Sequence, residues 1–169
     1  MDLWTLKEVL LDDCYDVHNL NKCEMIVDIG SAIGDFSIFA SGKAKNVISC
    51  EYDLNRLSLL KWNIIHAKKT NIQIIPEKID TLDLILSGKN TTCDLLKIDC
   101  EGSEYPILLN SSVPTLKKIK KIVGELYFFN DDMKTNFIHV KKKLISAGFT
   151  LKTWDNPVHK TICYFSAAR

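Results

Sequence analysis

The sequence predicts an α/β fold with a mostly parallel sheet and helices on both faces. Short apolar runs rich in β-branched residues alternate with segments whose apolar residues recur every three or four positions. The first of these strands leads through a glycine turn into a helix. The last segment, Phe149 to Ser166, alternates in polarity and turns at Asp155-Asn156-Pro157, which predicts a terminal β-hairpin that adds antiparallel pairing.

Capping and terminating residues define the elements of the first half of the chain. Gly42 suits the end of the first core helix, Asp53 suits the N-cap of the next, and Pro76 stops the third strand. The predicted elements are an amphipathic helix over Asp2 to Leu11, a strand over Met25 to Ile29, a helix over Phe36 to Ala40, a strand over Val47 to Glu51, a helix from Asp53 to about Lys68, and a strand over Ile72 to Ile75.

The second half follows the same alternation. Pro106 fits the first turn of a helix, and Gly148 suits the end of a long helix that begins at Asp131 or Asp132. The predicted elements are a helix over Asp80 to Leu86 capped by Asp80, a strand over Leu95 to Cys100, a helix over Ser103 to Asn110, a strand over Ile119 to Leu126, and the long helix, whose inward stripe is Met133, Phe137, Val140, Leu144 and Ile145.

Composition indicates a globular protein. Of the 169 residues, 46% are hydrophobic and 25% are charged, which is ordinary for a folded domain. Apolar runs fall short of the ~18 residues of a membrane span, and the acidic N-terminus differs from a signal peptide. We therefore expect a soluble, cytoplasmic protein with no membrane partner. The six cysteines form no C-x-x-C pair, which predicts reduced, mostly buried thiols.

The formal charge of +1 is unevenly distributed along the chain. Residues 1–30 carry a net charge of −5, residues 31–109 carry −1, and residues 110–169 carry +7. A basic C-terminal third could face an anionic substrate or nucleic acid. Because such lysines more often form a solvated face, nucleic acid is the less favoured partner.

The turn after the first strand has the spacing Asp28-x-Gly30-x-x-x-Gly34. Glycines permit positive φ angles and a close approach of backbone to ligand. A strand, glycine turn and helix in succession are expected to bring bare backbone N–H groups and a helix N-terminus up to a ligand. The dinucleotide fingerprint needs a further glycine. The spacing instead resembles motif I of the class I S-adenosylmethionine-dependent methyltransferases, so Asp28, Gly30, Ser31 and Gly34 are predicted to bind that cofactor. A merely tight connection is the alternative.

A second acidic residue supports a nucleotide ligand. Glu51 ends the second strand, 21 residues after Gly30. An acid about 20 residues after the turn is where nucleotide-binding α/β folds place the acceptor for ribose hydroxyls. Tyr52 follows directly and could stack on adenine. Both residues are therefore predicted to bind the cofactor.

The string Leu95-Leu96-Lys97-Ile98-Asp99-Cys100-Glu101-Gly102-Ser103-Glu104 is the most distinctive in the chain. It resembles the central signature of the FkbM-type methyltransferase family, which is close to LIKIDVEGAE. Together with the glycine turn and Glu51, the resemblance covers roughly residues 24 to 150. It implies a Rossmann-like methyltransferase fold with a seven-stranded sheet, S-adenosylmethionine as cofactor, and Asp99 near the methionine end of that cofactor.

The resemblance also implies O-methylation, typically of hydroxyls on sugars or natural products. We expect one methyltransferase domain over residues 1–169, with an N-terminal helix and lead-in over 1–22, a Rossmann-like core over 23–150 and the terminal hairpin over 151–169. The identity of the methyl acceptor is not specified by the sequence.

Several carboxylates could take the proton of an acceptor hydroxyl. A hydroxyl is a poor nucleophile near neutral pH, so a base assists its reaction. Asp99, Glu101 and Glu125 are the predicted catalytic residues, and Asp99 and Glu125 would end adjacent strands. Glu104 is either a further base or a helix-capping acid. Paired carboxylates could instead hold a divalent cation, but since a third ligand is not evident, no metal is predicted.

The segment between the third and fourth strands, Pro76 to Cys93, is short. Few residues therefore remain to form an acceptor pocket. Either a large acceptor approaches an open face, or a second chain, identical or different, completes the site. Two other functions remain open: RNA methylation, favoured by the basic C-terminal third, and a catalytically silent S-adenosylmethionine-binding module that acts through a partner.

Overall fold

A computed structural model describes residues 14–15, 20, 22–88 and 91–169 of the chain. The predicted helix over Asp2 to Leu11 lies outside the described residues. The chain divides into two compact units, Met1–Lys78 and Ile79–Arg169, and the single-domain organisation stays a prediction. In the described ranges, the helices lack the combination of length and hydrophobicity that crossing a membrane requires.

The described residues of the first unit form three parallel strands and two helices. The strands are β1 (Cys23–Ile29), β2 (Ala44–Cys50) and β3 (Ile72–Ile75), in the spatial order β3-β2-β1. The helices are α1 (Asp35–Ala40), between β1 and β2, and α2 (Leu54–His66), between β2 and β3. Each strand is thus followed by a helix or preceded by one, as the alternating sequence pattern predicts.

Helix α2 begins where the sequence places it. The Asp53 side chain accepts hydrogen bonds from the backbone N–H groups of Asn55 and Arg56, at 3.0 and 2.9 Å, and so satisfies two donors of the first turn. One face of α2 forms an apolar cluster with α1 and β3, made of Leu57, Leu60, Ile64, Ile38, Ile72 and Ile74.

In the second unit, residues 79–88 and 91–169 form the remaining strands and four helices. Strand β4 (Cys93–Ile98) pairs in parallel with β5 (Ile119–Tyr127), while β7 (Ile162–Ala168) pairs antiparallel with both β5 and β6 (Thr150–Asp155). The helices are α3 (Asp83–Leu86), α4 (Glu104–Asn110), α5 (Val113–Leu116) and α6 (Asp131–Ser146). The predicted hairpin is therefore β6–β7. The predicted fold class is confirmed, since the seven strands form a mostly parallel sheet with antiparallel C-terminal strands.

Two helix starts differ from the prediction. Helix α3 begins at Asp83 rather than Asp80, and the Thr81 hydroxyl accepts the hydrogen bond of the Asp83 N–H at 3.3 Å. The Asp83 carboxylate accepts hydrogen bonds from the Ser112 backbone N–H and hydroxyl, at 2.9 and 2.6 Å. Helix α6 is capped by Asn130, whose side chain accepts a hydrogen bond from the Met133 N–H, so the two aspartates lie in the first turn instead.

The packing of the second unit departs from the sequence pattern in two further places. Ile145, predicted on the inward stripe of α6, is 55% exposed, because it lies about 100° around the helix from its buried neighbour Leu144. Helix α5 was not predicted from the sequence, and the Ser112 hydroxyl caps it by accepting a hydrogen bond from the Thr115 N–H.

All six cysteines are free thiols, as predicted.

Candidate functional site

The predicted cofactor-binding residues of the first unit lie where β1 and β2 end. We call Asp28, Gly30, Ser31, Gly34 and Glu51 the glycine-turn cluster. Gly30 and Gly34 have φ angles of 76° and 94°, in the left-handed region that glycine adopts without strain. A Cβ at Gly34 would also lie 2.5 Å from the Leu60 Cδ1 atom of α2. The turn thus needs glycine for both its backbone conformation and its packing.

The backbone N–H groups of the turn are occupied by partners within the protein. Those of Gly30 and Ser31 both donate to the Cys50 carbonyl oxygen at 3.1 Å, and that of Ala32 donates to Glu51 Oε2 at 3.0 Å. The expectation of bare N–H groups is therefore wrong for these three residues. The reason is that the end of β2 lies beside the turn and supplies a carbonyl and a carboxylate as acceptors.

Asp28 is completely buried within this cluster. Its Oδ2 atom accepts a hydrogen bond from the Ser37 hydroxyl at 2.6 Å, and Ser37 lies 2.9 Å from the Ser49 hydroxyl. Because a hydroxyl carries one hydrogen, Ser49 donates to Ser37 and Ser37 donates to Asp28. Asp28 thereby links β1 to α1 and β2. Burial, together with the Asp28 charge, raises the pKa of the Cys50 thiol to about 12, so this thiol is neutral.

Glu51 is almost fully buried, and its carboxylate contacts both the glycine turn and the residues that follow β2. Its Oε1 accepts a hydrogen bond from the Asp53 N–H at 2.8 Å, and its Oε2 accepts the one from Ala32. Each carboxylate oxygen has capacity for a second hydrogen bond. Tyr52, by contrast, exposes 62% of its surface. Ser31 has a buried hydroxyl with no hydrogen-bond partner among the described residues.

Four polar residues of the second unit meet where β4 and β5 end. We call Lys97, Asp99, Glu125 and Tyr127 the carboxylate cluster. The Tyr127 hydroxyl lies 3.0 Å from Asp99 Oδ1 and 2.8 Å from Glu125 Oε2, and the Lys97 Nζ lies 3.8 Å from Asp99 Oδ2. The predicted proximity of Asp99 and Glu125 is thus present, and Tyr127 joins them.

Strand geometry explains this meeting of polar groups. Side chains two positions apart share one face of a strand, so Lys97 and Asp99 lie together, as do Glu125 and Tyr127. Ile98 pairs with Gly124 in the β4–β5 register, and a Cβ at Gly124 would lie 1.8 Å from the Ile98 carbonyl oxygen. Only glycine therefore permits the close strand approach beside Glu125.

The remaining acids near β4 differ from each other in environment. Glu104 is completely buried and accepts hydrogen bonds from the backbone N–H groups of Cys100 and Gly102, the latter at 2.8 Å. Burial raises the pKa of Glu104 to about 7, against the opposing effect of these hydrogen bonds. Glu104 thus closes the loop that precedes α4, which fits the capping alternative. Glu101 is exposed with a φ of 54°, and its catalytic role stays a prediction.

Lys97 and Tyr127 are the residues that the sequence reasoning missed. Lys97 lies inside the string from Leu95 to Glu104, and Tyr127 lies two positions after Glu125, one residue beyond the predicted fifth strand. The available signal was the pairing of polar residues at positions i and i+2 in otherwise apolar strands, Lys97 with Asp99 and Glu125 with Tyr127. Such a pair in a buried strand needs a polar partner, since unsatisfied buried polar groups are costly.

Comparison with known protein families identifies the family of this chain. The sequence model of the methyltransferase FkbM domain matches residues 18–151, a range that includes both clusters. The chain belongs to the FkbM methyltransferase family. The prediction made from the residues around Gly30 and Asp99 is therefore confirmed.

The chain is also similar to individual proteins, and it spans less than a third of the length of the curated relative that it matches. The probable ribosomal RNA small subunit methyltransferase A of Methanosphaera stadtmanae is 37% identical over 90 residues, which are 53% of this chain and 29% of that protein's length. SMU.1697c of Streptococcus mutans, solved with SAH, has a TM-score of 0.73 at 14% identity, covering 95% of this chain and 96% of the other. TrmK of M. capricolum, with S-adenosyl-homocysteine, has a TM-score of 0.67 at 15% identity, covering 94% and 68%.

The FkbM domain is an S-adenosylmethionine-dependent methyltransferase domain, and its cofactor is S-adenosylmethionine. The glycine-turn cluster fits this molecule. The orphaned Ser31 hydroxyl needs a polar partner, Glu51 retains acceptor capacity for a ribose diol, and the exposed Tyr52 ring is available for an adenine. The assignment of these residues to cofactor binding stays a prediction.

Proposed function

We propose that this FkbM methyltransferase methylates a hydroxyl oxygen on a sugar or natural-product-like acceptor. The observation that carries the proposal is the carboxylate cluster, in which a proton-accepting carboxylate, Asp99, retains a 24% exposed side chain beside three buried polar residues. A hydroxyl acceptor must lose a proton during methylation, and a positioned carboxylate can receive it.

For cofactor binding we assign the glycine-turn cluster and Tyr52. Glu51 would accept hydrogen bonds from ribose hydroxyls, and Ser31 would satisfy its orphaned hydroxyl on the amino-acid end. Asp28, which is held by Ser37, supplies negative charge behind the turn. When bound, S-adenosylmethionine supplies an activated methyl group, so the protein's tasks are to orient the acceptor and exclude water.

For proton removal we assign Asp99 as the base, with Glu125 beside it. Glu101 is a further candidate because of its place in the signature and its exposure. The Lys97 Nζ atom lies beside the assigned base, 3.8 Å from Asp99 Oδ2.

To test this proposal, the purified chain is given S-adenosylmethionine together with each member of a panel of hydroxylated sugars and small phenolic and alcoholic compounds. Formation of S-adenosylhomocysteine then reports methyl transfer. Asp99→Asn should lower the turnover rate by about 10²–10⁴-fold. Asp94→Asn is the matched control, because Asp94 lies on the same strand and pairs with Lys120 at the surface. Methyl transfer that is equally fast in Asp99→Asn contradicts the assigned base, and product methylated on nitrogen or carbon contradicts O-methylation.

RNA methylation is the second candidate, and a relative's name favours it. The M. stadtmanae relative is a ribosomal RNA methyltransferase by description, and residues 110–169 carry a net charge of +7. Several of these basic groups, however, are engaged within the protein. They include Lys118 with the Leu86 carbonyl, Lys143 with the Leu109 carbonyl, Lys134 with Asp131, and Arg169 with the Ile119 carbonyl.

The salt dependence of RNA binding separates the two candidates. If exposed lysines such as Lys117, Lys141 and Lys142 contact phosphates, the affinity for a ribosomal RNA fragment should fall steeply between 50 and 200 mM salt. Replacing these three lysines by glutamine should reduce the slope. Weak binding with no salt dependence, together with methylation of small hydroxylated compounds, rejects the RNA candidate.

A further inference from the structure

Phe129 is an exposed aromatic residue just after β5, two positions beyond Tyr127 of the carboxylate cluster. Its side chain belongs to a residue that is 58% exposed. The Phe129 ring packs against the Tyr127 ring, with 5.3 Å between the two centroids and 54° between the two planes. The Tyr127 hydroxyl in turn lies 3.0 Å from Asp99 Oδ1 and 2.8 Å from Glu125 Oε2. A single ring therefore separates Phe129 from the two carboxyl groups.

The backbone on both sides of Phe129 is fixed. On one side, the Phe128 N–H donates to the Thr161 carbonyl oxygen at 2.8 Å, and the Phe128 ring packs edge-on against Phe137 of α6. On the other side, the Asn130 side chain caps α6. A single exposed apolar side chain is ordinary, but this one is held beside the carboxylate cluster. A ligand can thus contact the ring with little cost from ordering the protein.

The loop after β4 meets the first turn of α6 close to Phe129. A Cβ at Gly102 would lie 2.7 Å from the Met133 Cε atom, so the absence of a side chain permits this approach. We call residues 99–103 and 127–133 the rim. Exposed acidic residues stand on both segments of the rim: Glu101, Asp131 and Asp132.

An aromatic face beside several carboxylates suits a neutral sugar. The face of a benzene ring carries partial negative charge and attracts the slightly positive C–H groups of a sugar ring, and sugar hydroxyls donate hydrogen bonds to carboxylates. Aromatic platforms for single-stranded RNA stand instead in positively charged grooves. The acids of the rim would repel phosphates, and the nearby Lys134 is paired with Asp131 at 2.8 Å.

We propose that Phe129 binds the methyl acceptor by stacking against the C–H face of a neutral sugar ring, whose hydroxyls reach the carboxylate cluster. This inference rests on the proposed function, in which Asp99 takes the proton of the hydroxyl that is methylated. It adds the class of the acceptor, an uncharged sugar ring, and the residue that selects it. Because Phe129 binds the acceptor and transfers no proton, its loss should change KM rather than kcat.

Binding of the methyl glycosides of glucose, galactose and mannose to the full chain with S-adenosylhomocysteine tests the proposal without methyl transfer. In saturation-transfer-difference NMR with irradiation of the protein's aromatic protons, at least one glycoside should receive saturation, most strongly at the C–H groups of one ring face. Phe129→Ala should weaken its binding about five- to tenfold. Phe129→Tyr keeps the aromatic face and should retain the affinity, and the 6-phosphate of the same sugar should bind more weakly than the neutral glycoside.

Ile145→Ala is the matched control. Ile145 is 55% exposed, nearly as much as Phe129, but it lies in the last turn of α6, roughly 20 Å along the helix from its start. Glycoside binding should therefore be unchanged in this variant. An equal loss of affinity in Ile145→Ala and Phe129→Ala would overturn the specific role of Phe129.

Three further outcomes overturn the proposal. One is that none of the three glycosides binds, which is decisive even if Phe129→Ala does not fold. Another is that folded Phe129→Ala binds the glycoside as tightly as the unmodified chain does. The third is that a uridine-rich RNA hexamer binds through Phe129 while the glycosides do not, which would assign the ring to nucleobases.

Failure of this inference is distinct from failure of the proposed function. A glycoside that binds through Phe129 but is not methylated when S-adenosylmethionine is supplied contradicts the proposed function alone. A glycoside that is methylated with the same KM by Phe129→Ala and by the unmodified chain contradicts only the role of Phe129.

Discussion

The Ser37 hydroxyl donates a 2.6 Å hydrogen bond to the Asp28 carboxylate, and neither side chain is exposed to solvent. Asp28 belongs to β1 and Ser37 to α1, so this bond fixes the helix that follows the glycine turn against the strand that precedes it. A carboxylate that is fully removed from water depends on such donors. The turn between the two residues is consequently held from both ends.

Ser37→Ala should lower the free energy of unfolding by about 2 kcal/mol, since it removes a hydrogen bond to a buried charged group. Ser58→Ala is the matched control, because the exposed Ser58 hydroxyl donates only to the Leu54 carbonyl one turn earlier. We expect the control to change stability by less than about 0.5 kcal/mol. Urea unfolding measures both variants, and equal losses in the two would show that the buried bond has no special importance.

Gly30→Ala should weaken the binding of S-adenosylhomocysteine about tenfold or more. A residue with a Cβ is strained by about 1–2 kcal/mol at the φ of 76° that Gly30 adopts, and relief of that strain would shift the turn. Gly148→Ala supplies the control, because Gly148 has a φ of 97° with nothing near its Cβ position and follows α6. Calorimetric titration should show weakened binding only in Gly30→Ala, although both variants lose stability.

Much of the fold was predictable because its signals are local. The apolar β-branched runs, the Asp53 cap and the turn at Asp155-Asn156-Pro157 each act within a few residues, and the structure retains them. The occupied N–H groups of the glycine turn were not predictable in this way. Their acceptors, the Cys50 carbonyl and the Glu51 carboxylate, lie about 20 positions further along the chain and meet the turn only through the β1–β2 pairing.

The contacts of the candidate site were likewise only partly predictable from the sequence. The motif with Asp99 identified one strand end, and the carboxylate of Glu125 identified its neighbour. That Tyr127 would join the two depends on the β4–β5 register, in which Ile98 pairs with Gly124. A shift of one residue would turn Glu125 and Tyr127 to the opposite face, so sequence spacing alone could not fix the contact.

Gly124→Ala should destabilise the protein by about 3 kcal/mol or more, because the new methyl group would meet the Ile98 carbonyl oxygen at 1.8 Å, and backbone atoms cannot move aside cheaply. Thermal unfolding measures the loss as a lower melting temperature. Gly42→Ala is the comparison, since its Cβ would meet only the Phe39 carbonyl oxygen at an ordinary 3.5 Å. A melting temperature for Gly124→Ala that matches that of Gly42→Ala would contradict the close approach of β4 and β5.

Glu104 should make stability fall as the pH rises between about 4.5 and 7. Its pKa is raised from the ordinary 4.5 to about 7 in the folded chain. Below pH 4.5 the Glu104 carboxyl is protonated in both the folded and the unfolded chain, so its burial does not lower the free energy of unfolding. As the pH rises, the unfolded chain releases this proton first, so unfolding becomes easier until the folded state also ionises near pH 7. The total loss is on the order of 3 kcal/mol.

Glu104→Gln isolates this effect, because glutamine cannot ionise. The difference in unfolding free energy between the unmodified protein and Glu104→Gln, measured with urea from pH 4 to 8, should change in that window and be level above it. Glu101→Gln is the matched variant, because it removes an exposed carboxylate from the same loop at a φ of 54° that glutamine tolerates as glutamate does. A difference for Glu104→Gln that does not change with pH would mean that the buried carboxyl titrates as it does in water, and that its two backbone donors fully offset its burial.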